Sequence, residues 1–192
     1  MTFASGWASG VNAYATVLVL GLMGRFAHEP SVPSGFQRTD VLIVMAVLAV
    51  LELVADKIPY LDSVWDTVST FIRPVAGAVI GALIAGQSGS LLTITLAAVG
   101  GVSALLSHVT KSGLRLAINT SPEPVTNVAA SAVGDVSVVG VSALAASFPL
   151  VAAGVAGVLL LASAIIFWFA LSRVKKGWRA IRRWMQRDPQ TT

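Results

Sequence analysis

The chain predicts an all-α fold, a polytopic transmembrane bundle of about six spans closed by a basic amphipathic helix at the C-terminal end. Three observations lead there. Charged residues are 11% of the 192 positions, against about 25% in soluble globular proteins. Several apolar stretches approach the roughly 20 residues needed to cross a bilayer. The cations are concentrated: Arg173, Lys175, Lys176, Arg179, Arg182, Arg183 and Arg187 fall within 15 residues, while the chain before them holds six Lys/Arg and eight Asp/Glu. The net charge of +4 is therefore a basic tail on a slightly acidic body. That distribution argues against a nucleic-acid partner. It divides the chain into a membrane domain, residues 1–172, and an interfacial tail, residues 173–192.

The chain has no cysteine, which excludes disulfides, thiolate metal sites and thiol nucleophiles. No Lys or Arg occurs in the first 20 residues, so the basic region of a cleavable signal is missing and the first apolar segment is expected to stay.

The first span covers roughly Ala8 to Gly24, and the polar stretch "RFAHEPSVPSGFQRTD" follows it. Its two prolines and its glycine break the helix. The second span runs from about Val41 to Ile58. The third, counted from Pro74 to Gly86, would be about 20 Å long and too short to cross. Begun at Leu61 it reaches about 39 Å, with Pro74 inside and a kink expected there. "GQSGS" makes a turn, and the fourth span is about Leu91 to Val109. The fifth begins near Pro122 and runs to about Ala146, with Ser121 as N-cap and Glu123 in the first turn, where an acid suits the helix dipole. "SFP" at 147–149 breaks it, and the sixth runs from Pro149 to Leu171. Cytoplasmic flanks carry excess Lys/Arg. Six spans with both termini cytoplasmic place Lys57, Arg73, Lys111, Arg115 and the seven tail cations inside, and Arg25 and Arg38 outside.

The rare charges cluster. Glu52, Asp56, Lys57, Asp62, Asp66 and Arg73 share 22 positions. Asp62, Asp66, Thr70 and Arg73 have the spacing of one helical face. Pro124, Asn127, Ser131 and Asp135 repeat the spacing of Pro59, Asp62, Asp66 and Thr70, as two parallel helical hairpins would. Asp135 lies about 20 Å into its span. A carboxylate there needs a proton, a partner or water, and polar groups such as Ser103 or Asn12, or a hydrated pocket, are expected ahead of Arg73. Glu52, Asp56, Asp62, Asp66, Arg73 and Asp135 thus form the candidate polar or ion site. The alternative for each is a structural one: a cap, a local ion pair or a hydrogen bond between helices. Gly77, Gly81 and Ala85, beside Ala78, Ala82 and Gly86, form two small-residue rows that suit close packing in the bundle centre.

In the tail, Val174, Trp178, Ile181 and Met185 take one face. Lys175, Lys176, Arg179, Arg182 and Arg183 are then placed to meet anionic lipid, with an acidic partner protein as the alternative. Enzyme motifs are missing: there is no HExxH, GxSxG or phosphate-binding glycine loop, and His28 and His108 are read as lying in different loops. No enzyme activity, metal or cofactor is expected.

"SGVNAY", "ELVADKIPYLDSVWDTVSTFIRPVAGA" at 52–78 and "TSPEPVTNVAASAVGDV" at 120–136 resemble the bacterial integral membrane proteins of domain-of-unknown-function family 4126. Where that family often has an acidic pair, this chain has Gly134 and Asp135, so only Asp135 carries over. The resemblance implies a bacterial inner-membrane protein and brings no activity or cofactor. Two functions stay open. One is a transporter or channel-like protein for an ion or small polar solute, its path lined by the acids. The other is a non-catalytic accessory subunit of a larger membrane complex, or a homo-oligomer, with the charges paired off internally.

Overall fold

The apolar runs become helices between the proline and glycine breaks. The computed structural model describes residues 1–58, 61–86, 88–119 and 124–185, with the side chains at 117, 119, 124, 127, 170 and 173–185 left outside the description. Among the described residues there are seven α-helices and no strand. They are α1 (Thr2–Val11), α2 (Ala13–Phe26), α3 (Thr39–Ala55), α4 (Leu61–Ala85), α5 (Ser90–Asn119), α6 (Pro124–Ser147) and α7 (Pro149–Met185), with a 3₁₀ turn at Ser34–Gln37. Four of them are long and apolar enough to cross a membrane, through Leu61–Ala85, Ser90–Leu116, Val128–Ser147 and Pro149–Phe169. Pro74 lies inside α4 as read, and Gly86, at φ +60°, ends that helix in the left-handed region that glycine enters without strain.

The count of six spans needs correction at the first. Residues 8–24 are two helices, not one. At Asn12 the backbone is extended (φ −154°, ψ 102°), and the side chain caps α2 by accepting from the Ala15 N–H. The chain then doubles back. Gly6 packs on Gly100 and Gly10 on Ala104, so α1 runs parallel to α5. Leu20 of α2 returns to a cluster with Ile80 and Ala146, against which Met1 also packs. The pair α1–α2 is a folded-back hairpin whose tip is Asn12. Helix α3 has 17 residues, about 25 Å, and falls short of the four long helices.

Two further corrections follow from helix length. Helix α5 does not stop at Val109 but continues to Asn119, so His108, Lys111 and Arg115 are helical and not in a loop. Helix α7 continues unbroken to Met185, so the basic stretch prolongs the last span. The faces of Lys175, Lys176, Arg179, Arg182 and Arg183 lie outside the described side chains, as do Ser121, Glu123 and three members of the repeat, Pro59, Pro124 and Asn127. Phe167 of α7 lies over Gly113 of α5, so α7 leaves the bundle at the end that holds Arg115. Met1 is at the other end, packed against the Leu20, Ile80 and Ala146 cluster.

Burial is inverted relative to a soluble core. Phe71 is 77% and Leu150 88% exposed, whereas Glu52, Asp56, Asp62 and His108 are all 0% exposed. Apolar exteriors around polar interiors are stable where the solvent is hydrocarbon.

Candidate functional site

The acids of the 52–73 stretch meet three cations at the tip of the hairpin. Helix α1 ends with the carbonyls of Gly10 and Val11, which have no helical partners beyond them. Arg73 Nη1 donates to Gly10 O at 3.0 Å, and Lys111 Nζ donates to Val11 O at 2.8 Å. Cations also suit the negative end of the helix dipole. Ser107 Oγ donates to Trp7 O at 2.7 Å, one turn back along α1. The broken helix is thus held by side chains from α4 and α5.

The same cations gather the carboxylates. Arg73 Nη2 pairs with Glu52 of α3 and lies 3.6 Å from Asp66 Oδ1. Lys111 pairs with Asp56 at 2.6 Å. Arg115 reaches three acids: Asp56 at 3.0 Å, Asp62 at 3.8 Å and Asp66 at 2.9 Å. Asp56 sits between α3 and α4, outside both helices. Its burial pushes the carboxyl upward, but Lys111 and Arg115 outweigh this and hold it down at about 2. Glu52 Oε2 and Asp66 Oδ1 are buried without a hydrogen-bond donor.

His108 completes the network. Its Nδ1 lies 2.8 Å from Arg73 Nη1, and a guanidinium can only donate. Nδ1 therefore accepts and Nε2 carries the hydrogen. Nε2 is 2.9 Å from Thr70 Oγ1, which passes its own hydrogen to Asp66 O at 2.9 Å. The ring is neutral in this arrangement, and the network counts four carboxylates against three cations, −4 + 3 = −1 among the described residues.

Five of the six candidate residues are brought together. Asp135 is not among them. It pairs with Lys57 at 3.3 Å, whereas Ser103 donates to Val99 O and Asn12 caps α2, so neither is its partner. Lys111, Arg115 and His108 were missed as site residues. Their spacing of three and four is a single helical face, and that signal was available once the helix is continued past Val109. Two larger cavities adjoin the network. One of about 370 Å³ lies between α4, α5 and α7 beside Asp66. The other, of about 420 Å³ and mostly apolar, lies between α1, α5, α6 and α7 and reaches Lys111. Among the described residues no cluster of His, Asp and Glu has metal-binding geometry.

A helical bundle with an apolar exterior and an ion-paired interior defines a polytopic membrane protein. Within that class the chain belongs to the family described as Domain of unknown function (DUF4126), whose family model matches residues 1–169. Comparison with curated proteins and with solved structures returns no match.

Proposed function

We propose that this is a transporter or channel-like protein of the bacterial inner membrane that moves an ion or small polar solute and has no enzymatic activity. One observation carries the reading. The tip of a folded-back helix ends in a buried network that, among the described residues, carries one carboxylate more than it has cations. A buried uncompensated charge is costly, so a proton or a bound cation completes the network. Its arrival and departure change the contacts that hold the tip. Half-helices ending near ionisable groups are the working elements of many carriers. Orientation follows from charge. Lys57, Arg73, Lys111, Arg115 and the basic tail belong to the cytoplasmic half, with Arg25 and Arg38 opposite.

A second reading has its own support. The carboxylates are ion-paired internally, and α4, α5 and α7 keep broad apolar faces that a larger membrane complex or a second copy would cover. The deciding measurement is flux in proteoliposomes under an imposed proton or monovalent-cation gradient. The transport reading expects gradient-dependent flux that Glu52→Gln abolishes and Asp135→Asn leaves intact. Absence of flux, together with stability that is indifferent to cations, would put the accessory-subunit reading in its place.

A further inference from the structure

We infer that the ion bound by the network is the proton, and that Glu52 takes it up in exchange for its hold on Arg73. The inference deepens the transport reading and rests on it only for the claim that the proton is moved.

Glu52 Oε2, Asp66 Oδ1 and Asp135 Oδ1 are all buried without a hydrogen-bond partner, but they are not equivalent. Asp135 pairs with Lys57 and its side chain is 16% exposed, so water shares in solvating it. Asp66 has two cations: its other oxygen accepts from Arg115 at 2.9 Å, and Arg73 lies 3.6 Å from Oδ1. Glu52 is 0% exposed and pairs with Arg73 alone, through Oε1.

That one cation is divided. Arg73 Nη1 donates to Gly10 O at 3.0 Å and to His108 Nδ1 at 2.8 Å. Nη2 lies between Glu52 Oε1 and Asp66 Oδ1. The other ionisable groups around Glu52 do not make up the difference. Lys111 of α5 and Asp56 act on it in opposite senses and are paired with each other at 2.6 Å. Tyr14 of α2 also senses its charge, but a phenol is uncharged at neutral pH.

A buried ion pair is favourable only where further hydrogen bonds satisfy the remaining lone pairs, and Glu52 Oε2 has none. Almost none of Oε2 is open to a particle of water size, so neither a water molecule nor a metal ion reaches it. A proton needs no such space. Once Oε2 carries it, Glu52 is neutral and burial no longer opposes it so strongly, while Oε1 can still accept. Arg73 Nη2 then gives its charge to Asp66 Oδ1, the neighbouring oxygen that lacks a donor. Nη1 keeps Gly10 O, so the exchange takes place at the group that holds the tip of α1.

The test uses the full chain in lipid nanodiscs and follows the infrared carbonyl stretch of a protonated carboxyl against pH. Ordinary glutamates titrate near 4.3, so a band that grows as the pH falls from about 8 to 5 reports a carboxyl held apart from that range. Glu52→Gln, which imitates the loaded state, should delete this band. Glu52→Asp should move it, and Lys57→Gln should leave it unchanged. Asp66→Asn removes the alternative partner of Arg73 and should make proton binding about tenfold weaker, so that the band appears about one pH unit lower. A band that is absent from about pH 8 to 5, or present but indifferent to pH, overturns the assignment, as does its survival in Glu52→Gln. An unchanged midpoint in Asp66→Asn overturns the exchange with Arg73. A titrating band in a protein that gives no proton flux in proteoliposomes sustains the proton site and defeats the transport reading. Sodium or potassium flux without a titrating band overturns the proton site and leaves transport standing.

Discussion

Helices α4 and α5 meet in two ways along one antiparallel contact. Towards the end that holds Met1, Gly81 lies on Leu96 and Gly77 on Gly100, backbone against backbone. Towards the other end Arg73 meets His108 and Asp66 meets Arg115. The first half has no polar chemistry and no room. The second is held by long side chains whose charges do not balance among the described residues. One half fixes the spacing of the helices through backbone contact, and the other holds the charged groups.

Three substitutions break this contrast in descending order. Gly100→Val drives a side chain into the Gly77 carbonyl, a backbone atom with no freedom to yield. The loss should be about 4–5 kcal/mol or more, read as failure to recover monodisperse protein. Arg73→Ala comes second. It strands Glu52 and leaves the Gly10 carbonyl and His108 Nδ1 without a donor. Removing one partner of a buried pair costs about 3–5 kcal/mol, and the double variant Arg73→Met with Glu52→Gln should recover part of it. A thermal melt of both variants measures the difference, and equal melting temperatures would show that Glu52 is not the stranded group. Lys57→Gln is the smallest. The Lys57 and Asp135 side chains are 31% and 16% exposed, and such a pair contributes about 1 kcal/mol or less. A shift as large as that of Arg73→Ala would place Asp135 in the network after all.

The acidic side of the site was legible because Asp62, Asp66 and Arg73 keep helical spacing inside an otherwise apolar chain. The small-residue rows were legible for the same reason, and Gly77 and Gly81 do pack closely on α5. The basic side was not. Lys111 and Arg115 follow the end of an apolar run, and hydropathy reads such cations as a loop at the membrane surface. Only the carboxylates of α4 and of Asp56 in the α3–α4 connection, distant in sequence, make it favourable to keep them helical and buried. The hairpin was hidden differently. Residues 8–24 have the length and hydrophobicity of a span, and one asparagine is a faint mark for a reversal. Gly6 and Gly10, one turn apart on α1, were the added signal that this segment packs inside protein and not against lipid. Asp135 was read with the wrong partner, because Lys57 reaches it from the α3–α4 connection.

The hairpin also sets an order of assembly. Helix α1 is enclosed by α4, α5, α6 and α7, all of which are synthesised after it. Its Gly10 and Val11 carbonyls wait for Arg73 and Lys111, and its apolar face waits for Val138, Val141 and Ala152. The segment that is translated ahead of these four helices therefore cannot complete its contacts until they are in place. Until then it carries exposed backbone carbonyls at its tip. Closing the bundle around them is a long-range step, of the kind that makes folding slow.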